Sequence, residues 1–176
     1  VDAGRRAALR RAHAATHLLQ AALQHFLGSH AVQQGSKVDA DMLRFDFSHP
    51  SSIDQETLLA IESMVNDRVL EAVPVSATLL PLAEARHAGA MMLFGEKYPD
   101  IVRMVTMDGV SRELCGGTHV SSTGQIGLVR IVAEESVSAG TRRISAVTGL
   151  RALDRIRHAE RALAEAASTL KVPVSD

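Results

Sequence analysis

Apolar positions first recur at helical spacing. Leu9, Ala12, His13, Thr16, Leu19 and Leu23 share one side of a helix predicted over about residues 5–27, a segment rich in Ala, Leu, Arg and Gln. Gly28 is its natural stop. Residues 28–41 then read as a turn-rich stretch. After them the period drops to two: Leu43, Phe45 and Phe47 alternate with Arg44 and Asp46, which predicts a half-buried strand. The His49-Pro50-Ser51-Ser52 run breaks it. Ser52 with Gln55 has the form of a capping box for a second helix, which carries Leu58, Ile61, Val65 and Val69 on one side. Residues 73–79 read as a strand, and Pro81 opens a short helix.

The second half reads mostly as β. Residues 101–107 form a strand, and Asp108-Gly109 is a strong hairpin signal that returns residues 110–114 antiparallel to it. Cys115-Gly116-Gly117 ends that strand in a flexible turn. Residues 126–133 and 142–148 are further strands, separated by Ser138-Ala139-Gly140. Beyond Gly149 the period is helical again, with Leu153, Ile156, Leu163 and Leu170 set among Arg, Glu and Ala.

Composition changes this picture in three ways. Aromatics are 3% of the 176 residues and Trp is absent, so the core must be built from Ala, Val, Leu and Ile. The single Cys excludes an internal disulfide and fits a reducing compartment such as the cytoplasm. The net charge of −1 carries no nucleic-acid footprint. Local patches remain, Arg5, Arg6, Arg10 and Arg11 at one end and Arg142 and Arg143 near the other, though each taken alone reads as a solvated helix end or strand edge. No apolar run reaches the roughly 18 residues of a membrane span, and the charged first segment is no signal peptide. The chain does not begin with Met, which suits an excised piece and a processed protein equally.

His13 and His17 are spaced i, i+4, which brings both imidazoles to one helix face. Cys115 and His119 sit far away in sequence on the Gly-rich turn, where the backbone can bend around an ion. Two pairs of N/S ligands match the tetrahedral preference of zinc, and thiolate with imidazole favours zinc over magnesium and calcium, which prefer oxygen. On spacing alone a zinc site and the bland alternative, packed histidines with an inert thiol, stand level. Four protein ligands make a closed, structural site, whereas a catalytic zinc keeps a position open; the sequence leaves this choice open, including whether His119 is a tight ligand. Glu113 either orients a ligand from behind or points to solvent. His25, His30, His49, His87 and His158 have no partner at ligand spacing.

Six blocks in order carry a resemblance: HAATHLL at 13–19, QQGSKV at 33–38, LRFDFSH at 43–49, GAMMLFGEKY at 89–98, ELCGGTHV at 113–120 and SAGTRRISAVTG at 138–149. Together they resemble the editing domain of alanyl-tRNA synthetases, which is related to free-standing alanyl-tRNA editing proteins and to the editing domain of threonyl-tRNA synthetases. Ala14 stands where many members have Ser. The resemblance implies an α+β fold, an antiparallel sheet with flanking helices around a zinc-containing cleft. It implies an editing domain over 1–149 and, over 150–176, the start of a helical linker toward an absent C-terminal domain. His13, His17, Cys115 and His119 match its Zn²⁺ positions. Thr16, Gln33 and Ser36 match polar positions of the editing pocket.

The implied activity is hydrolysis of the aminoacyl ester of tRNA(Ala) carrying Ser or Gly, with no aminoacylation by this chain. The implied partners are the tRNA(Ala) acceptor end, which Arg142 and Arg143 would meet at its phosphates, and the other domains of a parent synthetase. No membrane partner is implied. A non-catalytic zinc module that binds tRNA or a partner domain is the main alternative. A zinc peptidase is disfavoured, because Ala14 occupies the place of the general-base Glu in HExxH.

Overall fold

The structure is a computed structural model that describes residues 2–92 and 97–174. Residues 93–96, within the GAMMLFGEKY block, lie outside the described residues. Helix α1 (Ala3–Leu27) opens the chain, with the Asp2 side chain accepting from the Arg5 amide at 2.8 Å. It stops at Gly28, whose φ of 103° lies in the region that favours glycine. Burial on α1 is broader than a stripe: Ala14, Ala15, Thr16, His17, Leu18, Leu19 and Gln20 are consecutive and all buried. A helix covered on every side is a core helix, and its alanines let neighbours approach closely from several directions.

Two antiparallel sheets flank it, where one was expected. The first has the order β1 (Gln33–Val38), β2 (Leu43–Ser48), β7 (Thr141–Thr148), β6 (Val129–Ser138). The second is β3 (Val75–Pro81), β4 (Ile101–Met107), β5 (Ser111–Leu114). Helix α1 touches β1, β2 and β7 of the first sheet and β5 of the second. Leu43, Phe45 and Phe47 point from β2 into the core, as the alternation predicts, and join Leu18, Leu23, Ile61, Val65 and Ile144 there. In β7 the four consecutive residues Ile144, Ser145, Ala146 and Val147 are all buried, so both faces of this inner strand are covered.

Helix α2 (Gln55–Leu70) lies against α1 and buries Ile61, Val65 and Val69. Its cap is Asp54, which accepts from the Thr57 amide at 2.8 Å, and not Ser52. Its last turn is finished by a 3₁₀ turn (Thr123–Ile126): Thr123 donates to the Arg68 carbonyl at 2.6 Å, and Ser122 to that of Ala72 at 2.8 Å. Asn66 joins α2 to β6 by pairing its amide with both backbone groups of Val129, at 2.9 Å each. A short helix α3 (Leu82–His87) follows Pro81, and α4 (Leu150–Leu170) follows Gly149. Among the described residues no helix is long and apolar enough to cross a membrane.

Strand β1 lies inside the stretch expected to be turn-rich. It is an edge strand paired only with β2, and its polar QQGSKV sequence carries no apolar alternation to betray it. Asn66→Ala leaves an amide and a carbonyl of β6 without their partner; stability should fall by about 2 kcal/mol in urea unfolding, while Leu59→Ala on the exposed side of α2 should cost under about 0.5 kcal/mol.

Candidate metal centre

The hairpin of β4 and β5 turns at Asp108-Gly109, with Gly109 at a φ of 67°. It delivers the chain to Cys115 at the end of β5, facing the middle of α1. His13 and His17, one turn apart, meet Cys115 and His119 there. One donor atom from each of the four lies within 4.8 Å of every other. Cys115 Sγ is 3.4 Å from His13 Nε2 and 3.6 Å from His119 Nε2, and the Nε2 atoms of His17 and His119 are 2.9 Å apart. Zinc bond lengths imply tetrahedral edges of about 3.6 Å for S–N and about 3.3 Å for N–N pairs. The sulfur distances already match. The His17–His119 pair needs to open by only a few tenths of an ångström. Donor type and spacing therefore fit a zinc ion.

The turn reaches the helix because residue 117 has no side chain. A Cβ on Gly117 would lie 1.9 Å from Cε1 and 2.4 Å from Nδ1 of His13, whereas one on Gly116 would meet nothing within 4 Å. Both glycines seemed from sequence to serve the turn; only Gly117 is forced by close approach. Three charged residues then hold the pieces in place. Glu113 Oε2 sits 2.8 Å from His17 Nδ1 and fixes that ring with Nε2 toward the centre. Arg103 Nη1 donates to the carbonyls of Cys115 at 2.7 Å and Gly117 at 2.8 Å. Arg10 Nε donates to the carbonyl of His119 at 2.6 Å. Of Glu113's two sequence alternatives, the structure shows the inward one. Arg103 was missed; the one available signal was a cation in the middle of the otherwise apolar strand IVRMVTM.

The state of Cys115 suits a metal, whereas His17 must give up a proton to bind one. Burial pushes the Cys115 thiol up, but hydrogen bonds from His119, His13 and His17 and from the Gly117 amide outweigh it and bring the pKa down to about 3. The group is thus a thiolate at neutral pH, the form that binds metal. Burial pushes His17 down, yet its hydrogen bonds to Cys115 and Glu113 and their negative charges lift it to about 9. Burial, with the neighbouring His17 and His13, holds His119 below the ordinary imidazole value against the opposing hydrogen bond to Cys115.

The other sequence-predicted residues fall in three places. Thr16 is buried beside the histidines, and its hydroxyl donates to the His13 carbonyl at 2.7 Å. Gln33 and Ser36 lie on β1, where the Gln33 amide donates to Ser36 Oγ at 3.3 Å. Arg142 and Arg143 lie on β7. Each is paired with a carboxylate, Arg142 Nε with Glu134 at 2.5 Å and Arg143 Nε with Asp46 at 2.6 Å.

Comparison with known proteins agrees with this geometry. Residues 102–145, from β4 through Cys115 and His119 into β7, match the family described as the threonyl and alanyl tRNA synthetase second additional domain. The chain is 53% identical over 175 residues to the alanine–tRNA ligase of Rhodopirellula baltica, covering 99% of this chain and 18% of that protein. It is 50% identical over 173 residues to that of Dichelobacter nodosus (97% and 20%) and 52% over 158 residues to that of Thermotoga maritima (90% and 18%). The stretch that carries Cys115 and His119 thus resembles a second additional domain of the kind shared by threonyl- and alanyl-tRNA synthetases. Nearly the whole chain is similar to one stretch of alanine–tRNA ligases. It spans about a fifth of the length of these relatives.

Gly117→Ala should displace the His13 ring and weaken zinc binding at least as much as the roughly 10–100-fold loss typical of outer partners, with the circular dichroism spectrum unchanged. Glu113→Gln should weaken zinc by about 10–100-fold in competition with a chromophoric chelator. Wild-type affinity in Gly117→Ala would remove His13 from the ligand set.

Proposed function

We propose that this domain hydrolyses the aminoacyl ester of tRNA(Ala) wrongly charged with serine or glycine, using a zinc ion held by His13, His17, Cys115 and His119. The observation that carries the reading is the cluster of one thiolate and three imidazoles in a chain of the alanyl-tRNA synthetase editing type. A bound zinc ion would supply Lewis-acid polarisation of the ester carbonyl and attraction for its developing negative charge.

The chain's own residues do the rest. Cys115 offers its thiolate, Glu113 keeps the His17 ring turned inward, and Arg103 and Arg10 hold the ligand-bearing turn by its carbonyls. The Gly117 amide is engaged by the Cys115 sulfur, which leaves it occupied rather than available to an oxyanion.

The need for such a site follows from small energies. A pocket built for alanine rejects glycine by only about 1–3 kcal/mol for the missing methyl, and rejects an added hydroxyl poorly. A second site that takes serine and refuses alanine cannot select by size, because serine is larger. It can select with polar groups left unpaired unless the serine hydroxyl is present. We assign that task to Thr16, Gln33 and Ser36. The Thr16 proton is committed to the His13 carbonyl, so its oxygen would accept from the serine hydroxyl. The Gln33 amide is committed to Ser36, which leaves the Gln33 carbonyl as an acceptor. Arg142 and Arg143 would meet acceptor-stem phosphates with the edges not turned to Glu134 and Asp46.

The reading also divides the chain at Gly149, with the editing domain over 1–149 and α4 as the start of a linker over 150–176. It sets the domain beside the other parts of a parent synthetase, in the cytoplasm. A second reading, a non-catalytic zinc module that binds tRNA or a partner domain, is favoured by the four ligands, which fill a tetrahedron.

Deacylation of seryl-tRNA(Ala) and alanyl-tRNA(Ala), before and after zinc removal, separates the two readings. The deacylase reading expects serine to be lost faster than alanine, the activity to vanish with the metal, and zinc to restore it. No hydrolysis by folded, zinc-loaded protein would leave the non-catalytic module. Thr16→Val or Gln33→Ala should narrow the serine-to-alanine ratio by about tenfold at unchanged zinc content, the scale of one buried hydrogen bond; an unchanged ratio in both would sink the recognition assignment.

A further inference from the structure

Half-buried arginines in this fold are mostly neutralised. Arg68 is paired with Glu71, Arg130 with Glu62, Arg142 with Glu134 and Arg143 with Asp46. Arg10, Arg11 and Arg103 break the pattern, since among the described residues none has a carboxylate within ion-pair distance; Arg10 and Arg103 stand together. Both line the same open cavity of about 200 Å³, which lies between α1, β3, β4 and residues 119–121. Ser76 and Ser121 line it as well, the remaining wall includes Ala77 and Val105, and among the described residues no acidic one lines it.

Holding two positive charges together at a half-buried site without a counter-ion is costly. The hydrogen bonds to the ligand turn do not remove that charge, because carbonyls are neutral. They also leave donors over. Arg10 commits its Nε, and Arg103 commits Nη1, of the five N–H groups each guanidinium carries. Two guanidinium forks and two hydroxyls around one space are the chemistry that receives phosphate oxygens.

The cavity is not the metal centre. Of the four cluster residues only His119 lines it, and the arginines grip the turn by its carbonyl oxygens while Cys115 Sγ and His119 Nε2 face the cluster. We propose that this cavity binds a phosphate group of the RNA acceptor end, next to the ester held at the metal. The aminoacyl ester sits on the terminal ribose, whose own 5′ oxygen carries the nearest phosphodiester, and His119 spans both places. Only the source of the phosphate rests on the deacylase reading; the anion site itself does not.

The test uses metal-loaded protein, an uncharged RNA hairpin with an unpaired 3′ end, and inorganic phosphate as a second probe. Ala77→Glu, at an exposed position of β3 that lines the cavity, places a carboxylate there without touching either arginine's hold on the turn. The expected result is hairpin binding weakened about tenfold, the loss of one charge-assisted contact. The log–log salt slope should flatten by about 0.7–0.9, the share of one phosphate, with zinc content unchanged. Ser76→Asp, at the neighbouring exposed position of β3 that also lines the cavity, is read in the same way and is the second variant if Ala77→Glu does not fold. Unchanged affinity and slope overturn the proposal. Loss of inorganic phosphate binding with hairpin binding intact overturns the RNA source. Wild-type protein that fails to deacylate while the hairpin behaves as expected counts against the deacylase reading alone, and wild-type deacylation with hairpin binding unaffected by Ala77→Glu counts against the phosphate site alone.

Discussion

The site depends on the close meeting of α1 with the Cys115–His119 turn. Two histidines and a cysteine–histidine pair from opposite halves of the chain come within bonding reach of one point, with Cys115 separated from His13 by 102 residues. Neither half forms a site alone. The helix must be covered on all sides so that the turn can press on it, and its run of alanines permits this. The turn must pass the His13 ring without a side chain of its own, and Gly117 permits that. The β4–β5 hairpin fixes where the turn starts, so the second sheet has its place in the fold as the carrier of Cys115 and His119.

Electrostatics reinforces the geometry. A thiolate among imidazoles, with Glu113 behind one of them, holds two negative charges in a half-buried place. Arg103 and Arg10 lie across the same turn and hold it by its carbonyl oxygens. With zinc bound, one thiolate and three neutral imidazoles leave about one net positive charge by ligand counting, which suits an electron-rich ester.

Much of this was legible in the residues. Period-two alternation at Leu43, Phe45 and Phe47 gave a core strand, and Asp108-Gly109 gave a hairpin, because both signals are local. The ligand types were legible at His13, His17, Cys115 and His119, although nothing local says that the two pairs meet. Strand β1 escaped because an edge strand need not bury a face, and QQGSKV buries none. The division into two sheets was not readable, since strand order depends on contacts distant in sequence. The cap of α2 was misplaced by two residues: Ser52 and Asp54 are both good caps, and only the fold selects Asp54. Arg103 reads as an interruption in a strand until the turn it holds is in view.

The central claim is that these four side chains bind one zinc ion together. X-ray absorption at the zinc edge of the loaded protein tests it most directly. The account predicts one sulfur at about 2.3 Å and three nitrogens at about 2.0–2.1 Å, with the sulfur contribution lost in Cys115→Ala. A shell of light atoms without sulfur, or the same spectrum in wild type and Cys115→Ala, would contradict it.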